Sequence, residues 1–100
     1  MVAFVSRDRG RTWPKYMDVM YETGGKNFFW ESKIVEFSDG RLLAVAWVYD
    51  DVIHQDRPNH YAISKDAGQT WSKPASTGLL GQTLTPFCWM IIAFFPCTAA

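Results

Sequence analysis

Apolar residues in this chain fall in short runs broken by Gly, Asp, Ser and Pro, and nowhere do they recur at the spacing of a helical face. Val2-Ala3-Phe4-Val5 is the first such run. Residues 31–47 then spell two strand-like runs joined by Asp39-Gly40, the strongest short hairpin signal, with the turn over residues 38–41. The second of these runs, residues 42–48, is apolar without a break, the pattern of a strand covered on both faces. Tyr61-Ala62-Ile63 marks another strand over residues 59–64. A last one is expected from Thr70 towards Ala75, where Pro74 is compatible only with a sheet edge. The pattern predicts an all-β chain of antiparallel hairpins.

One octad occurs twice. Ser6-Arg7-Asp8-Arg9-Gly10-Arg11-Thr12-Trp13 returns as Ser64-Lys65-Asp66-Ala67-Gly68-Gln69-Thr70-Trp71, 58 residues later (66 − 8). Each copy follows an apolar, β-prone run. Asp-x-Gly is a turn signal: the short carboxylate accepts backbone N–H bonds nearby, and Gly takes the φ > 0 conformation a tight turn needs. Thr and Trp then supply a hydroxyl and a large ring to hold the returning strand. A carboxylate engaged by its own turn makes a poor general base, so Asp8 and Asp66 read as structural and not as catalytic acids or metal ligands.

The S-x-D-x-G-x-T-W octad resembles the Asp-box, or bacterial neuraminidase repeat, of the sialidase family. That resemblance implies a six-bladed β-propeller of four-stranded antiparallel blades, with the box as the turn between a blade's third and fourth strands. On this frame residues 1–27 are the outer half of one blade with the first box. Residues 28–77 are one complete blade with the second box, and residues 78–100 begin the next blade and end in an apolar tail. A 58-residue period gives fewer than two repeats in 100 residues, and an isolated blade would leave two apolar faces wet. The expectation is a fragment whose partners are the remaining blades of a parent propeller. By resemblance alone the parent is secreted or periplasmic.

Antiparallel connections alternate between the two ends of a sheet, so the Asp39-Gly40 turn and the box share one end. The other end is expected to hold longer loops over residues 21–30, 48–58 and 77–83, and loops on a rigid scaffold are where binding groups concentrate. Glu31 is expected to open the innermost strand at that end. In sialidases the segment resembling E-x-x-x-V-E-x-S-D-G-R-L-L carries, at its first Glu, the base that activates a tyrosine nucleophile. The resemblance gives that role to Glu31, followed here by Val35, Glu36, Ser38, Asp39, Gly40, Arg41, Leu42 and Leu43. The other reading is a solvated Glu at the start of a strand. The chain departs from the family at Trp47, where the family pattern has one of three arginines that hold the substrate carboxylate. Arg offers a planar fork for a carboxylate, whereas indole offers a face and one N–H. Trp47 either stacks on a sugar ring or fills the core. Asp50, Asp51, His54, Asp56 and Arg57 in the 48–58 loop are candidates for binding sugar hydroxyls, with solvation as the alternative. Gln82 opens the next blade's inner strand.

Ten basic residues balance ten acidic ones and lie scattered, which speaks against nucleic acid as a partner. The implied ligand is a carbohydrate. No Cys, His or carboxylate spacing suggests a metal, and no cofactor is implied: Gly24-Gly25 and Gly78–Gly81 lack the strand and helix context of a phosphate loop. Pro86 and Pro96 enclose nine consecutive apolar residues, too few for a membrane span of about 20. That tail carries Cys88 and Cys97. It reads as a buried strand, an altered end or a membrane-surface segment, and its low charge makes it an aggregation hazard.

Overall fold

The computed structural model describes residues 1–82 and 84–85. Six strands run in chain order: β1 (Val2–Val5), β2 (Lys15–Asp18), β3 (Asn27–Glu36), β4 (Leu42–Asp50), β5 (Gln55–Ser64) and β6 (Ala75–Ser76). β1 and β2 form one antiparallel hairpin, and β3-β4-β5-β6 form a four-stranded antiparallel sheet in sequence order. The described residues contain no helix, so the all-β expectation is met. The apolar tail, its two cysteines and the strand it was expected to begin lie outside the described residues.

The two hairpins built on the octads share one register. Val2 pairs with Asp18 and Ala3 with Met17; 58 residues on, His60 pairs with Ser76 and Tyr61 with Ala75. Their lengths differ because proline has changed places. Tyr16 continues the first ladder opposite Phe4, but the position 58 residues later is Pro74, which has no N–H to donate. β6 therefore shrinks to two residues, and the strand expected from Thr70 does not form there. Near the box the exchange is reversed. The Ser72 amide donates to the Ile63 carbonyl and the Ile63 amide donates to the Ser72 hydroxyl, both at 2.9 Å, and Pro14 occupies the equivalent place in the first hairpin.

β4 is covered on both faces. Ala44 and Ala46, with Ala62 of β5, receive Val19 and Met20 from the segment after β2; Ala3, Phe29 and Trp71 complete that layer. Alanine at all three sheet positions lets the hairpin segment approach closely. On the opposite face Phe37, Leu43 and Val45 pack with Val35, Tyr61, Ile63 and Leu84. The alternation follows from the pleat, since neighbouring β4 residues point to opposite sides.

Two boundaries move from those expected. β3 starts at Asn27, which puts Glu31 inside the strand and not at its opening. β4 and β5 continue to Asp50 and from Gln55, so the expected 48–58 loop contracts to a four-residue turn, residues 51–54. The Asp50 carboxylate accepts the amides of Val52 (2.9 Å) and Ile53 (3.2 Å), which closes the turn at once. Both ladders around β4 slip at the same level. β3 carries an extra residue between Trp30 and Lys33, and β5 between Arg57 and His60, opposite Ala46–Val48. Pro58 falls in the second bulge, a place where its missing donor costs little.

Met20 is fully buried between the two sheets. Met20→Ala is expected to lower stability by about 2–5 kcal/mol, measured by denaturant unfolding, with the loss expressed as weaker docking of the β1–β2 hairpin.

Candidate functional site

Each octad is a closed hydrogen-bond unit. In the second, the Ser64 hydroxyl donates to Asp66 Oδ1 (2.8 Å) and accepts the Gly68 amide (2.8 Å), while Asp66 Oδ1 accepts the Thr70 amide (2.8 Å). The Thr70 hydroxyl donates to Asp66 Oδ2, and the Trp71 indole N–H reaches back to the Gly68 carbonyl at 3.0 Å. The first octad repeats every bond: Ser6 to Asp8, Gly10 to Ser6, Thr12 to Asp8 through both amide and hydroxyl, and Trp13 to the Gly10 carbonyl. The glycines are required by conformation, with φ of +86° at Gly10 and +87° at Gly68. The threonine hydroxyl, then the threonine amide and the serine hydroxyl, hold each Asp carboxyl down at about 2. These carboxylates are spent on their own turns.

The copies differ in what covers them. Gly68 lies buried where an added Cβ would meet Leu42 Cδ1 at 3.5 Å, whereas Gly10 is exposed and Trp13 is 55% exposed. The second box is seated on the neighbouring strand; the first has no described strand beside it.

At the opposite end stand the residues proposed for ligand binding, and several of them pair with one another across the β4–β5 hairpin. Asp50 is fully buried, takes the Arg57 guanidinium at 2.6 and 2.9 Å, and has Lys26 Nζ at 3.6 Å. Burial pushes its carboxyl up, but the Arg57 hydrogen bonds, the amides of Ile53 and Val52 and the Lys26 charge outweigh it and bring it to about 2. Asp50 and Arg57 thus hold each other and the turn; Asp50 is enclosed, while the Arg57 side chain stays 39% exposed. Asp51 and His54 lie exposed in that turn, and Tyr49 Oη approaches His54 Nδ1 at 3.5 Å. Trp47, half-buried, donates its indole N–H to Asp56 at 3.0 Å. Around it Trp30 packs edge-on at 5.1 Å and lies parallel to Tyr49 at 5.6 Å, with Phe28 stacked at 5.9 Å. This aromatic shelf sits beside the turn.

Glu31 is exposed at the β3 bulge with φ +46°. A positive φ at a residue with a long side chain is sterically strained, and bulges re-aim the side chains they carry.

Asn59 was not singled out by sequence reasoning. It is buried in β5, its amide Nδ2 donates to the carbonyls of Leu79 (3.2 Å) and Gly81 (2.7 Å), and its own carbonyl accepts the Thr77 amide and hydroxyl, both at 2.8 Å. It fastens the outgoing link. The available signal was a lone amide side chain opening an otherwise apolar run.

No cluster of three or more potential metal ligands occurs among the described residues, and no helix there is long and apolar enough to cross a membrane.

Residues 62–73 match the family described as BNR/Asp-box repeat, a stretch that contains the second octad and the end of β5. Over those residues the chain is similar to that repeat. No curated protein and no solved structure matches the chain.

The depressed carboxyls set a pH dependence. Asp8 and Asp66 sit at about 2 in the folded chain, against about 3.9 unfolded. Their stabilisation is fully present above the unfolded value and is lost as pH falls through the folded one. Acid titration followed by tryptophan fluorescence is expected to show unfolding between about pH 4 and pH 2. Asp66→Asn is expected to flatten that transition and to lower stability at neutral pH. Ser64→Ala, at a buried hydroxyl, is expected to cost about 1–3 kcal/mol.

Proposed function

We propose that this chain is part of a sialidase-type β-propeller, with residues 28–77 forming one blade, and that its parent protein hydrolyses sialic-acid-type or related acidic glycosides. The repeat match supports the blade, as does a sheet whose central strand is covered on both faces, the arrangement radial stacking demands. Asp-box repeats specify a scaffold and not a reaction, so the catalytic part rests on Glu31. The observation that carries it is the bulge: Glu31 is the one non-glycine residue of β3 with positive φ, exposed on a strand otherwise in regular pairing. Strained backbone of this kind is characteristic of sites where a side chain must be held at a set angle.

In the proposed mechanism the Glu31 carboxylate takes the proton of a phenol, which makes a neutral oxygen nucleophile competent. This replaces the paired-carboxylate arrangement of most glycosidases. The tyrosine and the cations that hold the substrate carboxylate come from other blades.

One observation favours a second reading, a non-catalytic propeller that binds glycans or protein partners. Trp47 stands where the family pattern has a carboxylate-binding arginine, and its N–H is committed to Asp56. The site then offers an aromatic surface and an acid where an anionic sugar needs a cation.

Hydrolysis of an aryl sialoside by the intact parent protein decides between them. Turnover that falls by about 10²-fold or more in Glu31→Gln, with substrate binding retained, is expected. Turnover unchanged by Glu31→Gln removes its role, and glycan binding without turnover gives the second reading. The isolated 100-residue chain is expected to be inactive.

A further inference from the structure

A groove of about 420 Å³ runs between the β1–β2 hairpin and the four-stranded sheet. That volume falls in the roughly 300–1,000 Å³ range of small-ligand sites. Its walls come from both repeat units, so the octad hairpins create it by leaning together. Glu31 and the Trp30–Trp47–Tyr49 shelf are not part of its lining.

Beside the His60 imidazole and the hydroxyls of Tyr21, Thr23 and Ser72, three kinds of group in the lining select the ligand. Phe29 and Trp71 supply apolar surface; Asp18 and Glu22 supply carboxylates; Lys73 supplies an ammonium. Asn27 adds a fourth element, because it lines the groove and its Oδ1 is buried with no hydrogen-bond partner. Its neighbour is already used: Glu22 Oε2 accepts the Asn27 backbone N–H at 2.9 Å. A buried acceptor left unpaired is costly, and in native proteins such groups are met by water, an ion or a ligand. No ion pair joins Lys73 to Asp18 or Glu22 among the described residues.

We propose that this groove binds a neutral polyhydroxylated ring, a single saccharide unit. The chemistry selects that class. Two carboxylates and an amide oxygen call for a ligand that donates several hydrogen bonds, while the ammonium calls for one that also accepts. A hydroxyl does both. The aromatic walls suit the apolar face of a ring. A cation would meet Lys73 and an anion would meet Asp18 and Glu22, so both charged classes are disfavoured by the same lining. The site lies between the two octad hairpins, apart from Glu31 and the aromatic shelf, and does not depend on the hydrolase reading.

The test uses the intact parent protein and methyl glucoside and methyl galactoside as neutral probes, with choline and a methyl sialoside as charged comparators. Binding is followed by saturation transfer and by amide and indole shifts. The neutral glycosides are expected to bind at millimolar concentration and to shift Asn27, Trp71 and Lys73. Asp18→Ala and Lys73→Ala, both at exposed positions, are each expected to weaken binding between about twofold and tenfold, the equivalent of one hydrogen bond, with unchanged circular dichroism. Trp47→Leu and Glu31→Gln are expected to leave this binding intact, which separates its failure from failure of the hydrolase reading. Absence of neutral-glycoside binding overturns the proposal, as do shifts confined to Trp30, Trp47 and Tyr49 or tighter binding of choline or the sialoside.

Discussion

A strand that is apolar on both faces must be covered twice, and β4 sets this demand for the whole chain. Ala44 and Ala46 face the β1–β2 unit while Leu43 and Val45 face Leu84. The first cover comes from outside the sheet; on the second face Leu84 joins Val35, Phe37, Tyr61 and Ile63 of the sheet's own strands and turn. The stability of the four-stranded sheet therefore depends in part on the β1–β2 unit laid against it. The small side chains on one face and larger ones on the other make the two faces unequal: one receives Val19 and Met20 over alanines, the other carries Phe37, Leu43, Val45 and Tyr61 packed side by side with Leu84.

The octads answer a second demand, which is how to end a layer without exposing backbone. Serine, aspartate and threonine side chains bond the amides that no strand partner reaches, and the tryptophan ring folds over the result. This saturates the turn internally and keeps it from competing for ligands. It also explains why the two copies are chemically equal yet differently buried: the motif is complete in itself and tolerates exposure at Trp13 as well as contact with Leu42 at Gly68.

Local chemistry was legible in the sequence, and cross-strand geometry was not. Asp39-Gly40 and the octads could be read because each turn's bonds lie within a few residues. The bulges at Glu31-Ser32 and Pro58 could not, since a slip in register depends on the strand opposite. The same limit explains Asp50 and Arg57. Seven apart, they read as two polar loop residues, but once β4 and β5 extend to the turn they meet across the hairpin and neutralise each other. Asp56 was placed in the right neighbourhood without its partner, because a bond to Trp47 nine residues away requires knowing that both strands continue past position 48.

This extension of β4 and β5 alters how the two ends of the sheet divide their work. With residues 48–58 as a long loop, polar groups would have been carried on adaptable backbone. With a four-residue turn, Trp47, Tyr49 and Asp56 instead stand on paired strands, where side-chain directions are fixed by the pleat. An aromatic shelf carried on paired strands is a preorganised surface and not a flexible one. Preorganisation favours binding by reducing the ordering cost at the moment of contact, but it also limits the surface to ligands that match it. The Trp47 N–H is already satisfied by Asp56, so under the proposed function a ligand at the shelf would meet ring faces first, and selectivity would come from shape and from the groups that surround the rings.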